Sequence, residues 1–295
     1  MWKNLLCLFL ILGYFNSIWA QLPNSNIYLF DLTVADTSLE LTQPRFLTYF
    51  NQTGYNNQPA FFTEDELYIT VQMPYEQQTD IYMLDLINKT KRKVTATVEG
   101  EFSPKRTPDF FSFSAIRQEF RGRDTIQRLW QFPIDRKNNG KPVFKYTDKI
   151  GYYHWLSNSL VAVFIVDSPN YLAIANTGTD QLTPIVNNPG RCFTRTPNGE
   201  LAYVQKNSPS NWMIKTKNLY RNAPAKDIIN TLPGSEDFVI LDDGTYVMGN
   251  GSKLYKYNPA VDQEWVEFAD LRFYEITNIS RLAVSEDMKL AIVAD

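Results

Sequence analysis

Residues 193–204 read FTRTPNGELAYV. Two apolar stretches flank Pro197, Asn198 and Gly199. Proline presets φ, and Asn and Gly tolerate the positive φ of a tight turn. After the turn, Leu201 and Tyr203 alternate with Ala202 and Val204, the period of a strand. The stretch is therefore a hairpin, and it recurs. FFTEDELYITV (61–71) turns at Glu64-Asp65, HWLSNSLVAVFIV (154–166) at Ser157-Asn158, VILDDGTYVMG (239–249) at Asp243-Gly244 and LAVSEDMKLAIV (282–293) at Glu286-Asp287. A degenerate copy, FFSFSAIRQEF (110–120), places its turn near Ser114. With Asp65, Ser114, Asn158, Asn198, Asp243 and Asp287 as markers, the steps are 49, 44, 40, 45 and 44 residues. Such a period corresponds to one four-stranded propeller blade, ~40–50 residues long.

The intervals hold further strand-like runs. DIYMLDL (80–86) and KRKVTATV (91–98) follow the first hairpin, RLWQFPID (128–135) and PVFKYT (142–147) the second, MIKTKNLY (213–220) the fourth and KLYKYNP (253–259) the fifth. The chain stops at Asp295, directly after the second strand of the sixth copy. The missing outer half is offered by NIYLFDL (26–32) and SLELTQP (38–44) near the other end. The expected fold is an all-β, six-bladed β-propeller of four-stranded blades, its ring closed by N-terminal strands that complete the last blade. Closure removes free sheet edges.

Ahead of the repeats, Lys3 precedes an apolar run from Leu5 to Tyr14, then a more polar stretch to Ala20. The run is shorter than the ~20 residues of a membrane span. One cation, a short apolar core and a small residue at the cut describe a signal peptide over residues 1–20, leaving a single domain over 21–295. A secreted or periplasmic protein is expected, with no transmembrane span after cleavage. Cleavage removes Lys3, Cys7 and no acid, taking the net charge from −3 to −4. Only Cys192 then remains, which excludes a disulfide scaffold. The mild negative charge gives no reason to expect nucleic acid as a partner.

NNQPAFFTEDELYITV (56–71), and more loosely FTRTPNGELAYV, resembles the WD40-like repeat of TolB-type propellers. Pro59 and Phe61-Phe62 match the proline and aromatic positions of that repeat, Glu64-Asp65 takes its turn, and Pro197-Asn198-Gly199 is the closest match to the turn itself. The first, second and sixth copies depart from it by lacking the turn glycine. The resemblance implies an exported six-bladed propeller that acts by binding proteins or peptides. No preceding α/β domain is expected, because few residues stand before the repeats.

His154 is the only histidine, so no two-histidine metal site is possible and any Ser-His-Asp triad would have to use it. No G-x-S-x-G nucleophile elbow is present. GNGSKL (249–254) sits between two strands rather than before a helix and is expected to be a hairpin. Most acidic pairs belong to the recurring turn, but Glu236-Asp237 precedes an innermost strand. Together with Asn57 and Asn278 it is the candidate ligand set for a Ca²⁺ in the central channel, as six-bladed lactonases hold one. Residues 117–149 carry nine Lys or Arg against four acids, either a patch for an acidic partner or a solvated outer strand. Asn51, Asn88, Asn250 and Asn278 head glycosylation sequons.

The expected function is a non-enzymatic binding module for a protein, peptide or glycan, docked on the loops that lead into the innermost strands. Arg106, Tyr152, His154, Arg191 and Arg281 are the expected contacts, Arg for bidentate recognition of carboxylates and Tyr for rigid amphipathic surface. No catalytic residue and no obligatory cofactor is assigned. The alternatives are a Ca²⁺-dependent lactonase-like hydrolase or lyase, and a scaffold or sensor of a cell-envelope assembly.

Overall fold

The computed structural model describes residues 22–295 apart from 36, 37, 123, 137 and 222. Residues 1–20, read as a signal peptide, lie outside the described residues, as does Cys7. The described chain begins with β1 (Asn26–Ala35) and β2 (Ser38–Phe46). Five sequential four-stranded blades follow. Blade 1 is β3 (Tyr55–Phe61), β4 (Glu66–Gln72), β5 (Asp80–Asp85) and β6 (Thr90–Lys93). Blade 2 is β7 (Gly100–Arg106), β8 (Ser112–Arg121), β9 (Asp124–Pro133) and β10 (Lys141–Pro142). Blade 3 is β11 (Ile150–Trp155), β12 (Leu160–Ile165), β13 (Tyr171–Asn176) and β14 (Leu182–Asn187). Blade 4 is β15 (Pro189–Arg195), β16 (Leu201–Ser208), β17 (Asn211–Lys217) and β18 (Lys226–Asn230). Blade 5 is β19 (Phe238–Ile240), β20 (Tyr246–Asn250), β21 (Lys253–Tyr257) and β22 (Val266–Asp270). The last strands, β23 (Ile279–Val284) and β24 (Lys289–Ala294), share a sheet with the first, in the order β2-β1-β24-β23. Blade 6 is thus closed by the N-terminal strands, with Asn26 opposite Ala294 and Asp31 opposite Lys289.

Burial follows from this geometry. The second strand of a blade lies between neighbouring blades on both faces, so it is apolar throughout: LVAVFI in β12 and KLAIVA in β24 are almost wholly buried. The outermost strands face water on one side and read polar, as in TKRK of β6. The core is six separate clusters, one at each blade junction. Phe62, Tyr68 and Ile81 of blade 1 meet Phe113 and Phe132 of blade 2, for example. Ile27 and Leu29 of β1 meet Leu67 and Ile69 of blade 1, which closes the ring.

One hydrogen bond sets a common origin for all six blades. The residue after each innermost strand donates its N–H back across the turn: Phe62 to Glu66, Thr107 to Ser112, Leu156 to Leu160, Thr196 to Glu200, Leu241 to Thr245 and Ser285 to Lys289, at 2.8–3.1 Å. In four of these turns the third residue on has positive φ and returns its own N–H to the origin carbonyl: Phe110, Gly199, Gly244 and Met288, at φ 63°, 85°, 85° and 64°. Glycine reaches this region without a Cβ penalty, which is why Gly199 and Gly244 announce their turns in the sequence.

The second copy corrects the expectation. Its turn is Thr107-Pro108-Asp109-Phe110, not the region of Ser114, which lies within β8. Phe110 stands where the fourth and fifth blades carry glycine, so the turn is hidden. Asp109 Oδ1 supplies the missing specification by accepting from the N–H groups of Phe111 and Ser112 at 2.9 and 3.2 Å. Two outer strands are also shorter than expected. The regular ladder of KRKVTATV ends at Lys93, with Val94 and Thr95 still donating to the Ile81 carbonyl, and that of PVFKYT ends at Pro142, with Val143 still donating to the Leu129 carbonyl. GNGSKL is the β20–β21 hairpin, as expected.

Candidate functional site

Counting back from the common origin places the channel lining in two rings. Two residues back stand Ala60, Lys105, His154, Thr194, Val239 and Ala283; four back stand Gln58, Ser103, Tyr152, Cys192, Asp237 and Arg281. All twelve line one central cavity of about 370 Å³. The even positions face the channel because side chains alternate along a strand. The odd positions turn into the blade junctions, where Tyr153, Phe193, Phe238 and Leu282 are buried. In five of the six innermost strands a register shift falls beside the upper ring, for example between Asn57 and Ala60 and between Phe102 and Lys105. In the first two blades a residue at φ 54° precedes a proline there, Gln58-Pro59 and Ser103-Pro104. The upper ring lies nearer the loops that lead into the innermost strands.

The upper ring is tied together by charge. Arg281 of blade 6 reaches across the channel to Tyr152 of blade 3, its guanidinium 5.3 Å from the ring centre and its Nη2 3.4 Å from the hydroxyl. Arg281 Nη1 is 3.7 Å from Asp237, which also accepts from the Leu282 N–H at 2.9 Å. Arg191 donates Nη2 to the Ser280 carbonyl at 2.7 Å, with its Nε 3.7 Å from Glu236 and 3.9 Å from Asp237. That buried Nε has no hydrogen-bond acceptor among the described residues. Glu236 is also held by Lys206 at 2.8 Å. Burial raises the Asp237 carboxyl above its ordinary range, against the pull of Arg281 and Arg191. Burial works the same way on Glu236, but Lys206 and Arg191 outweigh it and hold that carboxyl low.

The lower ring is mostly small and neutral, and Lys105 is its one charge. Burial pushes the Lys105 ammonium below its ordinary pKa, opposed by Cys192 and Asp237. Beside it His154 is pushed down to about 3 by burial, then by Lys105 and Arg195, so it is neutral at physiological pH. Cys192 Sγ donates to the Phe238 carbonyl at 3.2 Å, and burial pushes its thiol well up.

Of the five expected contact residues, Tyr152, Arg191 and Arg281 meet at the upper ring, and His154 lies a ring deeper. Arg106 does not join them. It stands at the far end of β7, where Nη1 donates to the Phe62 carbonyl of blade 1 at 2.7 Å and the guanidinium lies 4.6 Å from the Phe110 ring. Arg195 repeats the device, donating to the Leu156 carbonyl of blade 3 at 2.8 Å. Both are straps between neighbouring blades.

Of the four candidate Ca²⁺ ligands, Glu236, Asp237 and Asn278 line one pocket and Asn57 lies apart from it. Glu236 and Asp237 already have cationic partners. Asn57 is buried beside Ser25, and Asn278 donates to Asp295 at 3.1 Å. No cluster of three His, Cys, Asp or Glu suited to a metal occurs among the described residues. The set does not fit a hard cation, which needs six to eight oxygens free of competing ammonium groups.

Of the seven described cations in the basic run over 117–149, Arg121, Lys141, Lys145 and Lys149 are exposed and the other three are engaged inside blade 2. Arg117 pairs with Glu101 at 2.9 Å and covers the Trp130 ring at 4.1 Å; Arg128 donates to the Phe144 carbonyl at 2.8 Å; Arg136 lies 5.1 Å from the Phe132 ring. Arg123 and Lys137 fall outside the described residues. Asn51 is likewise structural, its buried amide donating to Asn56 Oδ1 at 3.0 Å and the Gln72 carbonyl at 3.1 Å.

These features define a six-bladed β-propeller with an ion-bridged central channel. Its fold is that of TolB-type and related six-bladed propellers. TolB from Acinetobacter baumannii superposes with a TM-score of 0.58 at 11% identity, over 92% of this chain and 64% of that one, so the chain spans less than two thirds of that protein. A putative TolB from Agrobacterium tumefaciens gives 0.66 at 10% identity, covering 92% of this chain and 98% of that one. A gluconolactonase from Xanthomonas campestris gives 0.62 at 9% identity, covering 94% and 98%. No sequence-family model and no curated protein matches the chain. At these identities the likeness is one of fold, shared by binding proteins and enzymes alike.

Proposed function

We propose that the chain is an exported binding propeller that takes a protein, peptide or glycan partner at the channel mouth. The observation that carries this reading is the bridged upper ring. Tyr152, Arg191 and Arg281 converge from blades 3, 4 and 6, held by Asp237 and Glu236. A rigid tyrosine and arginines fixed by neighbouring carboxylates form a pre-organised recognition surface.

Hydrolytic chemistry finds less support. The charged groups acting on His154 are two cations, Lys105 and Arg195, so no carboxylate orients it as a base. The one channel thiol is pushed toward its protonated form. The export reading rests on the sequence of residues 1–20; among the described residues no helix is long and apolar enough to cross a membrane.

The test is affinity capture from the producing cell's envelope and secreted fractions, read by quantitative mass spectrometry. A partner retained by wild type and by Arg106→Ala, but lost with Arg191→Gln and Arg281→Gln, is the expected outcome. Equal capture by all four proteins overturns the mouth as the docking site.

A further inference from the structure

Lys105 is the channel group that the mouth does not use. Lys105 lines the central cavity, and among the described residues its ammonium makes no hydrogen bond and no ion pair. The surrounding lower-ring residues cannot neutralise it. Ala60, Val239 and Ala283 are apolar, Thr194 is neutral, and His154 is uncharged. Asp237 lies in the other ring and is already engaged by the Leu282 N–H, Arg281 and Arg191. Glu236 is held by Lys206. The channel therefore carries an excess of positive charge in a protein whose net charge is −3. The half-buried Lys105 side chain stands on the wall of the cavity, where low-dielectric walls focus the field of an unpaired ammonium and favour a bound anion.

We propose that the lower half of the channel is a receptor for a carboxylate, seated on Lys105 with Arg281 above it and a small apolar group lodged among Ala60, Val239 and Ala283. A monoanion is favoured over a phosphate dianion because one cation lacks a partner. The carboxylate is that of a small organic acid or of a peptide end reaching in from the mouth. The proposal rests on the binding reading above and names the chemistry that the channel selects.

Binding is coupled to protonation. Burial disfavours the charged amine when the channel is empty, and a carboxylate restores it. Affinity rises as pH is lowered through the empty-channel pKa of Lys105, with uptake of a proton.

Calorimetry and thermal unfolding at constant ionic strength test this. The probes are propionate, inorganic phosphate, chloride, and a short peptide with either a free or an amidated carboxy-terminus. Propionate gives a saturable upward shift in Tm that exceeds those from phosphate and chloride. Lys105→Met weakens propionate at least about tenfold, as loss of a charged hydrogen bond does. Arg128→Gln, in the same blade but away from the channel, leaves it unchanged. Because Lys105→Met removes an unpaired cation, it raises the ligand-free Tm, which separates lost binding from lost folding. If the free-acid peptide outcompetes propionate and the amide does not, the source is a chain end; the reverse order points to a small acid. No saturable shift in wild type, a shift kept by Lys105→Met, or an effect equal to that of chloride overturns the proposal. Those results leave the mouth reading intact, since capture through Arg191 and Arg281 is measured separately.

Discussion

At the residue scale the sequence pointed to part of the channel lining and passed over Lys105. Tyr152, Arg191 and Arg281 stood out as arginines and a tyrosine near the starts of innermost strands, and they do converge. Lys105 was hidden by the displaced second turn. With that turn at Ser114, Lys105 and Arg106 fall in a connecting loop. With it at Asp109, Ser103-Pro104-Lys105 aligns with Gln58-Pro59-Ala60, and Lys105 takes the ring position of Ala60 and His154. The repeated proline was the available signal. Arg106 lines the same cavity at the far end of β7, where it also straps blade 2 to the Phe62 carbonyl of blade 1. Arg106→Ala removes a charged donor from the partly buried Phe62 carbonyl and is expected to cost about 1–3 kcal/mol in urea unfolding. His154 supplies a pH test. Its folded pKa, about 3, lies below the ordinary 6.5, so between these values the unfolded chain binds a proton that the folded chain refuses. Its contribution is fully present above about 6.5 and is lost as pH falls toward 3. Denaturant midpoints at pH 7 and pH 5 should therefore differ more in wild type than in His154→Gln. An equal difference in both would mean that the imidazole is not held neutral.

At the scale of the element, a turn is legible when its special backbone position carries glycine. Gly199 and Gly244 sit at φ 85° and were read directly; Phe110 and Met288 sit at 63° and 64° with side chains that give no such cue. The Asp287 turn was still found because the polar run Ser285-Glu286-Asp287 interrupts two apolar stretches. Phe110 escaped because Phe110, Phe111 and Phe113 read as the start of a strand. The outer strands were overextended for a related reason. KRKVTATV alternates plausibly, yet past Lys93 the regular ladder breaks: Val94 and Thr95 both donate to the Ile81 carbonyl, and the Thr95 hydroxyl accepts from the Ile81 N–H at 2.8 Å. A paired substitution isolates the backbone at the hidden turn. Phe110→Ala and Phe110→Gly both remove the ring under Arg106, so their difference reports left-handed backbone strain alone. Phe110→Gly should be the more stable by about 1 kcal/mol in chemical denaturation. No difference would mean that the turn relaxes out of positive φ.

For the whole molecule, the complementary ends were the most informative feature of the sequence, because a half blade at one end predicts its other half elsewhere. The physical consequence is that two of the six core clusters need both ends of the chain. Phe30, Leu32 and Leu39 pack with Leu290 and Ile292 at the junction with blade 5, while Ile27 and Leu29 pack with Ala291 and Val293 at the junction with blade 1. β24 is hydrogen-bonded on one side to β23 and on the other to β1. Until β1 docks, β24 presents an unpaired edge of apolar residues, the kind that recruits other chains. Docking also closes the longest loop available to the chain, so it is entropically demanding and non-local. A chain starting at Leu47 should therefore lose its single cooperative unfolding transition and associate, seen as a shift to larger species on size-exclusion chromatography. Supplying residues 22–46 as a peptide should restore the monomer and raise the midpoint with peptide concentration, since that segment binds only the folded state. A milder form of the same test is Leu29→Ala. Leu29 is wholly buried at the closing junction, and its truncation should cost about 2–5 kcal/mol, as in any well-packed core. If the shortened chain stays monomeric with an unchanged midpoint, the first two strands are an appendage. In that case the ring is held by the five complete blades and the β23–β24 hairpin alone.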